Sequence, residues 1–332
     1  MLRNGKLDDG SYGTIDDLQI EYDGNQLTRG YDYASDDDPT YASAMQFTDN
    51  SDETTEYEYD QNGNMTKDLN SNITSIQYNC LNLPSTITAF QYHTYPLPRP
   101  HTTRRDFIMH YTYNADGEKI MVSEDPVISL GLNAAGTATA ATDGATGGVL
   151  PGIPDDSLVM GPVIVNPEFD LSTRYCGNVI FEKGKLKRLL TDEGYVTFAS
   201  NGTPTYHYYL KDHLGNVRVV FNQTGTVEQR NDYYPSGALM ATSTGGSVQP
   251  YKYNGKELER TAGLDLYDYG ARWMDSKIGA RFTTIDPMCE KYYDISPYAY
   301  CSGNPVNRID PDGREWYIYI TGNQSYMVSS KN

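Results

Sequence analysis

The sequence is poor in tryptophan and phenylalanine, with 2 and 8 in 332 residues, and it holds only four cysteines. Cys80, Cys176, Cys289 and Cys301 form no Cys-x-x-Cys pair and have no histidine at finger spacing, which argues against a structural zinc site. They read as isolated thiols, with one disulfide between Cys289 and Cys301 the alternative in an exported chain. Positive charge is scarce too. The 26 Lys and Arg stand against 44 Asp and Glu, a net charge of -18, which argues against nucleic acid or an anionic membrane as partner. No apolar run is long enough for a signal peptide or a membrane span, so export is expected to depend on sequence or a partner outside this chain. A Gly-rich phosphate loop, a nucleophile elbow and a His-Glu-x-x-His helix are all missing, so the common enzyme classes find no foothold and neither cofactor nor metal is expected. His207 and His213, the nearest thing to a metal pair, stand six positions apart, a spacing that suits structural roles better.

What the chain has in abundance is tyrosine, 30 residues. Tyrosine favours strands that bury a ring and leave a hydroxyl to reach a partner or water, so sheets with wet surfaces are expected. Alternating tyrosines run into turns at Tyr57-Glu58-Tyr59-Asp60-Gln61-Asn62-Gly63 and at Tyr111-Thr112-Tyr113-Asn114-Ala115-Asp116-Gly117. Looser copies occur at Ile20 to Asn25, Tyr208 to Asn216 and Tyr251 to Gly255. Period two followed by Asn-Gly or Asp-Gly is a hairpin signal, with Asp or Asn starting the turn and Gly accepting positive φ. A lone hairpin does not survive in water, so neighbouring units must pair into an extended or wrapped sheet. The fold expected is mainly β, built of sequential antiparallel hairpins, with Lys256 to Arg260 the one helix candidate. Residues 131–165, rich in Gly, Ala, Thr and Pro, read as a flexible insertion, and Tyr95 to Pro100 as a polyproline loop.

Several motifs from about Tyr206 onward resemble one family. His207-Tyr208-Tyr209-Leu210-Lys211-Asp212-His213-Leu214-Gly215-Asn216, Tyr267-Asp268-Tyr269-Gly270-Ala271-Arg272-Trp273, Ser296-Pro297-Tyr298-Ala299-Tyr300, Asn304-Pro305-Val306 and Asp310-Pro311-Asp312-Gly313 follow one another in order. Together they are similar to the Rhs core module, which follows YD repeats in bacterial Rhs polymorphic toxins, in insecticidal toxin-complex C components and, more distantly, in teneurins. The resemblance implies a β-strip that spirals into a shell around a toxin, with this chain the C-terminal part of a secreted or cell-surface protein. It divides the chain into degenerate YD repeats over 1–130, the insertion over 131–165, further repeats over 166–205, the core module over 206–313 and a tail over 314–332. Its partners would be a C-terminal toxin or effector cargo and its delivery system. An adhesion or carbohydrate-binding β-repeat, recognising a glycan or cell-surface receptor without enzymatic activity, is the other reading of tyrosine-rich faces.

Related core modules also cut themselves after the final Asp-Pro-x-Gly-Leu as aspartyl autoproteases. The resemblance places their arginine on Arg272, their two aspartates on Asp286 and Asp310, and the cut after Arg314. This sequence departs from the pattern at Met288-Cys289, where the first motif lacks its glycine, at Ala280, which is extra, and at Arg314, which replaces the leucine. The same residues also fit an ordinary Asp-Pro turn beside an ion-paired arginine.

Overall fold

A computed structural model describes residues 1–6, 10–34, 45–95, 101–125, 129–132, 138–141, 172–318 and 328–329. Its architecture is mainly antiparallel β, as the hairpin spacing predicts. Thirteen strands form one sheet that begins at Tyr57–Tyr59 and ends at Val227–Arg230. Strands adjacent in the sheet follow one another in sequence, except that Lys119–Glu124 pairs with Thr173–Cys176 across a separate hairpin of Ser129–Leu132 and Ala138–Ala141, so the sheet grows almost entirely hairpin by hairpin. An N-terminal sheet of three strands (Leu2–Lys6, Tyr12–Asp23, Gln26–Asp32) precedes it. A four-stranded sheet follows it, made of Glu257–Glu259, Leu266–Asp268, Trp273–Asp275 and Arg281–Phe282. Three short strands, Arg308–Ile309, Tyr317–Ile318 and Val328–Ser329, close the described chain.

The turns share one construction. In Asp60 to Asn64 the Asp60 carboxylate accepts the amides of Asn62 and Asn64 at 2.9 and 2.8 Å, while the Gly63 amide donates to the Asp60 carbonyl. Asn114, Asp212 and Asn222 repeat the pattern, accepting the amides two and four residues on. The fourth residue of each loop is Gly63, Gly117, Gly215 or Gly225, all at positive φ, where a Cβ would be strained. In Asn79 to Leu83 the same place is taken by Asn82 at φ 56, a residue that tolerates this region. A side chain thus satisfies backbone donors that the tight loop leaves without ladder partners.

Two expectations are corrected. Lys256 to Arg260 is not a helix: Glu257–Glu259 is a strand paired with Leu266–Asp268. Pairing with a distant segment overrides the local helix preference of Lys, Glu and Leu. Nor are the tyrosines chiefly on wet faces, since Tyr253, Tyr267, Tyr269, Tyr298 and Tyr300 are among the largest fully buried side chains. Their hydroxyls find buried acceptors: Tyr267 donates to the Gly237 carbonyl, Tyr298 to that of Gly63, and Tyr269 and Tyr300 to Asn254 Oδ1, at 2.6 to 3.0 Å. A buried, bonded tyrosine gives ring burial without the cost of a stranded hydroxyl. Of the insertion expected over 131–165, 131–132 and 138–141 belong to a hairpin in which Ser129–Leu132 pairs with Ala138–Ala141, while 133–137 and 142–165 lie outside the described residues, as does 96–100 of the proline loop. All four cysteines are free thiols.

The core runs across these sheets. One apolar cluster joins Leu18 and Leu27 of the first sheet to Ile73, Ile87 and Met109 of the large sheet and to Leu264, Leu266 and Trp273 of the C-terminal region. A second, centred on Tyr253, Tyr267, Tyr269, Phe282 and Tyr300, packs the C-terminal region internally and takes in Trp316. Among the described residues no helix is long and apolar enough to cross a membrane.

Candidate functional site

Arg272, Asp286 and Asp310 converge, although thirty-eight positions separate the arginine from the second aspartate. Arg272 leaves the tight turn after Tyr269 and is almost fully buried. One of its nitrogens, Nη2, lies 3.1 Å from Asp286 Oδ2 and 3.2 Å from Asp310 Oδ2. Nε donates to the Gly313 carbonyl at 2.5 Å and Nη1 to the Pro297 carbonyl at 3.2 Å. The guanidinium plane is completed by the Phe282 ring, 3.7 Å away. A planar fork with several fixed donors is what allows one side chain to hold two carboxylates and two carbonyls together.

Asp310 to Arg314 is the hairpin turn used a further time. Asp310 Oδ1 accepts the amides of Asp312, Gly313 and Arg314 at 3.2, 2.7 and 3.2 Å. Gly313 sits at φ 78, the place glycine occupies in the other loops. The difference lies at the fifth residue. In the Asp60 and Asp212 loops this is Asn64 or Asn216, whose side-chain amide occupies the second carboxylate oxygen. In the last loop it is Arg314, and Asp310 Oδ2 turns to Arg272 instead. A Cβ on Gly313 would come within 2.9 Å of the Arg272 backbone nitrogen, so the turn and the arginine fit closely. Asp286 begins a related turn, accepting the Met288 amide at 2.7 Å, before the chain enters a short 3-10 helix at Cys289–Lys291.

Burial raises both carboxyls above the usual carboxylate value, and the nearby Arg272 opposes the rise without cancelling it. Burial likewise lowers Arg272, against the pull of Asp286 and Asp310. A carboxyl pair set above its ordinary range can hold one proton in mild acid and divide acid and base roles. Cys301 is not an alternative nucleophile, because burial pushes its thiol up and keeps it protonated. Arg314 follows the bound Gly313 carbonyl, and its own amide is held by Asp310 and Asp312. Glu315 is ion-paired to Lys291.

The motif residues do not convey the whole site. The Pro297 carbonyl and the Phe282 ring belong to it, and Lys256 Nζ donates to the Pro311 carbonyl inside the Asp-Pro turn. Ser296-Pro297-Tyr298 carried a signal as a motif, but nothing in it pointed to a carbonyl. The two histidines are engaged separately: His207 is hydrogen-bonded to Glu228 and Thr197, while His213 faces the Val306 carbonyl.

No family model matches the chain. Salivary gland surface protein 1 of Aedes aegypti is 40% identical over 111 residues, covering 33% of this chain and 3% of that protein. The tRNA nuclease WapA of Bacillus subtilis (strain 168) is 28% identical over 127 residues, covering 36% of this chain and 5% of that protein. The matches therefore span only a small part of these relatives' own length. Among solved structures, the Photorhabdus luminescens Tc holotoxin pore matches over 98% of this chain and 14% of its own, with a TM-score of 0.53 and 17% identity. The crystal structure of TcdB2-TccC3 matches over 94% of this chain and 14% of its own, with a TM-score of 0.51 and 18% identity. The chain accordingly shares its antiparallel β fold with a segment of these Tc toxin structures.

Proposed function

We propose that this chain is the C-terminal scaffold segment of a larger secreted or cell-surface Rhs-like toxin protein, and that it cuts itself after Arg314 to free the cargo that follows. The observation that carries the proposal is the single guanidinium that holds Asp286, Asp310 and the Gly313 carbonyl at once, one residue before the cut. Asp310 fixes the turn by its amides, and Arg272 positions the carboxylates. One carboxylate takes a proton from water as the oxygen adds to the Arg314 carbonyl carbon. The other, protonated, gives its proton to the Glu315 nitrogen as the peptide bond breaks. Water is consumed, and a new carboxyl and a new amine result.

Intact mass of the purified chain tests this. Wild type incubated between mildly acidic and neutral pH should lose the segment from Glu315 onward, and Asp286→Asn or Asp310→Asn should remain full length. Asn keeps the size and much of the turn preference of Asp, so these variants should retain the fold. A wild-type chain that stays intact throughout would sink the cleavage and leave the scaffold role. Cleavage that persists in both variants would assign the cut to an outside protease.

A further inference from the structure

The chain from 46 to 50, the large sheet around Tyr57 and 70–72, and the C-terminal stretches 262–265 and 275–277 together line a cavity of about 180 Å³. That is room for about six waters at about 30 Å³ each, or for one pyranose ring. Its floor is made of side chains that leave hydrogen-bonding capacity unused. Asp275, Lys277, Asn70 and Tyr57 are all more than nine-tenths buried. Asp275 Oδ1 accepts the Lys277 amide at 2.7 Å, but Oδ2 accepts no hydrogen bond among the described residues and lies 3.8 Å from Lys277 Nζ, beyond bonding reach. Lys277 Nζ donates to Ser71 Oγ at 2.9 Å and to the Leu264 carbonyl at 3.2 Å, which leaves one of its three hydrogens. The Tyr57 hydroxyl accepts from Asn70 Nδ2 at 3.3 Å and gives its own hydrogen to no described residue.

These groups belong to one place. The Ser71 hydroxyl ties Lys277 to the residue that follows Asn70, and the Tyr57 hydroxyl, kept neutral by burial, also feels the charges of Asp68 and Asp275. One acceptor and two donors therefore share a single floor. The charges that line the cavity are balanced, Asp275 by Lys277 and Asp265 by Arg260 at 2.6 Å. A charged ligand would upset that balance in a buried site, whereas a neutral one leaves both pairs as they are. A sugar hydroxyl is donor and acceptor at once, so adjacent hydroxyls on one ring can take over the bonds that separate waters would make.

We propose that this cavity binds one neutral sugar ring through a pair of adjacent hydroxyls. One donates to Asp275 Oδ2 and accepts from Tyr57, and the other accepts from Lys277 Nζ. The C–H face of the ring packs on the apolar part of the wall, Phe47 and Ala262. None of these residues belongs to the proposed cut after Arg314, so either reading can fail without the other.

Calorimetry on the full chain tests this with D-glucose, D-galactose and D-mannose as probes and D-glucuronate as a charged counterpart. Saturable 1:1 binding of at least one neutral sugar is expected, tighter than that of glucuronate. Asp275→Asn should weaken it at least about tenfold and Tyr57→Phe about threefold or more, since each removes a hydrogen bond made to the sugar. Tyr57→Phe should keep the fold, because Asn70 Nδ2 retains Glu56 at 2.7 Å, and it carries the test should Asp275→Asn fail to fold. A methyl glycoside that binds as well as the free sugar supports the site with a glycan end as its occupant, and binding of the free sugar alone supports it with a soluble one. Absence of saturable binding by all three neutral sugars, tighter binding of glucuronate, or binding unchanged in the variants that fold overturns the proposal and leaves the cavity to water.

Discussion

Arg272→Met is expected to destabilise the chain by about 3–5 kcal/mol, read as a lower urea midpoint at unchanged slope at pH 7. Methionine fills most of the arginine's volume, so lost packing is a small part of the effect. The larger part is electrostatic. The Asp310 and Asp286 side chains, 2% and 11% exposed, would face each other without their shared cation, and the Gly313 and Pro297 carbonyls would lose their donors. Arg272→Lys should recover little, because a point charge cannot span two carboxylates and two carbonyls as the fork does. The pH dependence fixes the sign. Both carboxyls are raised in the folded chain, so the stability they contribute is complete below the unfolded carboxylate value and is lost as pH rises through the raised values. Without Arg272 the pair is harder still to ionise. The deficit of Arg272→Met should therefore narrow in acid, where both carboxyls take protons. A variant as stable as wild type at neutral pH would show that the arginine does not hold buried charge, and the cleavage geometry would lose its basis.

The parts of this fold that could be read in the sequence are those with a local cause. The hairpins were legible because an Asx residue three positions before a glycine builds the same loop wherever it occurs, at Asp60, Asn114, Asp212, Asn222 and again at Asp310. The meeting of Arg272 with Asp286 and Asp310 was not a local matter; only family likeness suggested it. The helix expected at Lys256 to Arg260 failed because its residues prefer helix alone but gain a strand partner in Leu266–Asp268. The tyrosines misled for a related reason. Composition shows how many hydroxyls need acceptors, but a carbonyl such as that of Gly63, which receives Tyr298 from the far end of the chain, exists only once the fold is made. Nothing next to Lys252 or Lys119 in the sequence marks them as buried.

Lys119 binds the large sheet to the C-terminal region by charge, so its loss is expected to loosen both. It stands at the start of Lys119–Glu124 in the large sheet, and its side chain is 7% exposed. Nζ lies 2.9 Å from Glu257 and 2.8 Å from Asp268, on two strands of the four-stranded sheet. Tyr175 donates to the same Glu257 at 2.8 Å, and the Tyr175 and Trp273 rings flank the ammonium at 5.1 and 5.6 Å. Burial alone would lower this amine, but Asp268 and Glu257 together raise it well above the ordinary lysine value. The stability linked to it is thus complete at neutral pH and lost only as pH climbs through that raised value. Lys119→Met should cost about 3–5 kcal/mol at pH 7, since two carboxylates would remain in a buried site without their cation. Adding Glu257→Gln and Asp268→Asn should recover most of the loss, because a fully neutral cluster has no charge to strand. Urea unfolding of the single and triple variants separates the two contributions. If the triple variant is no more stable than the single one, the hydrogen-bond geometry and not the charge is what binds the two sheets here.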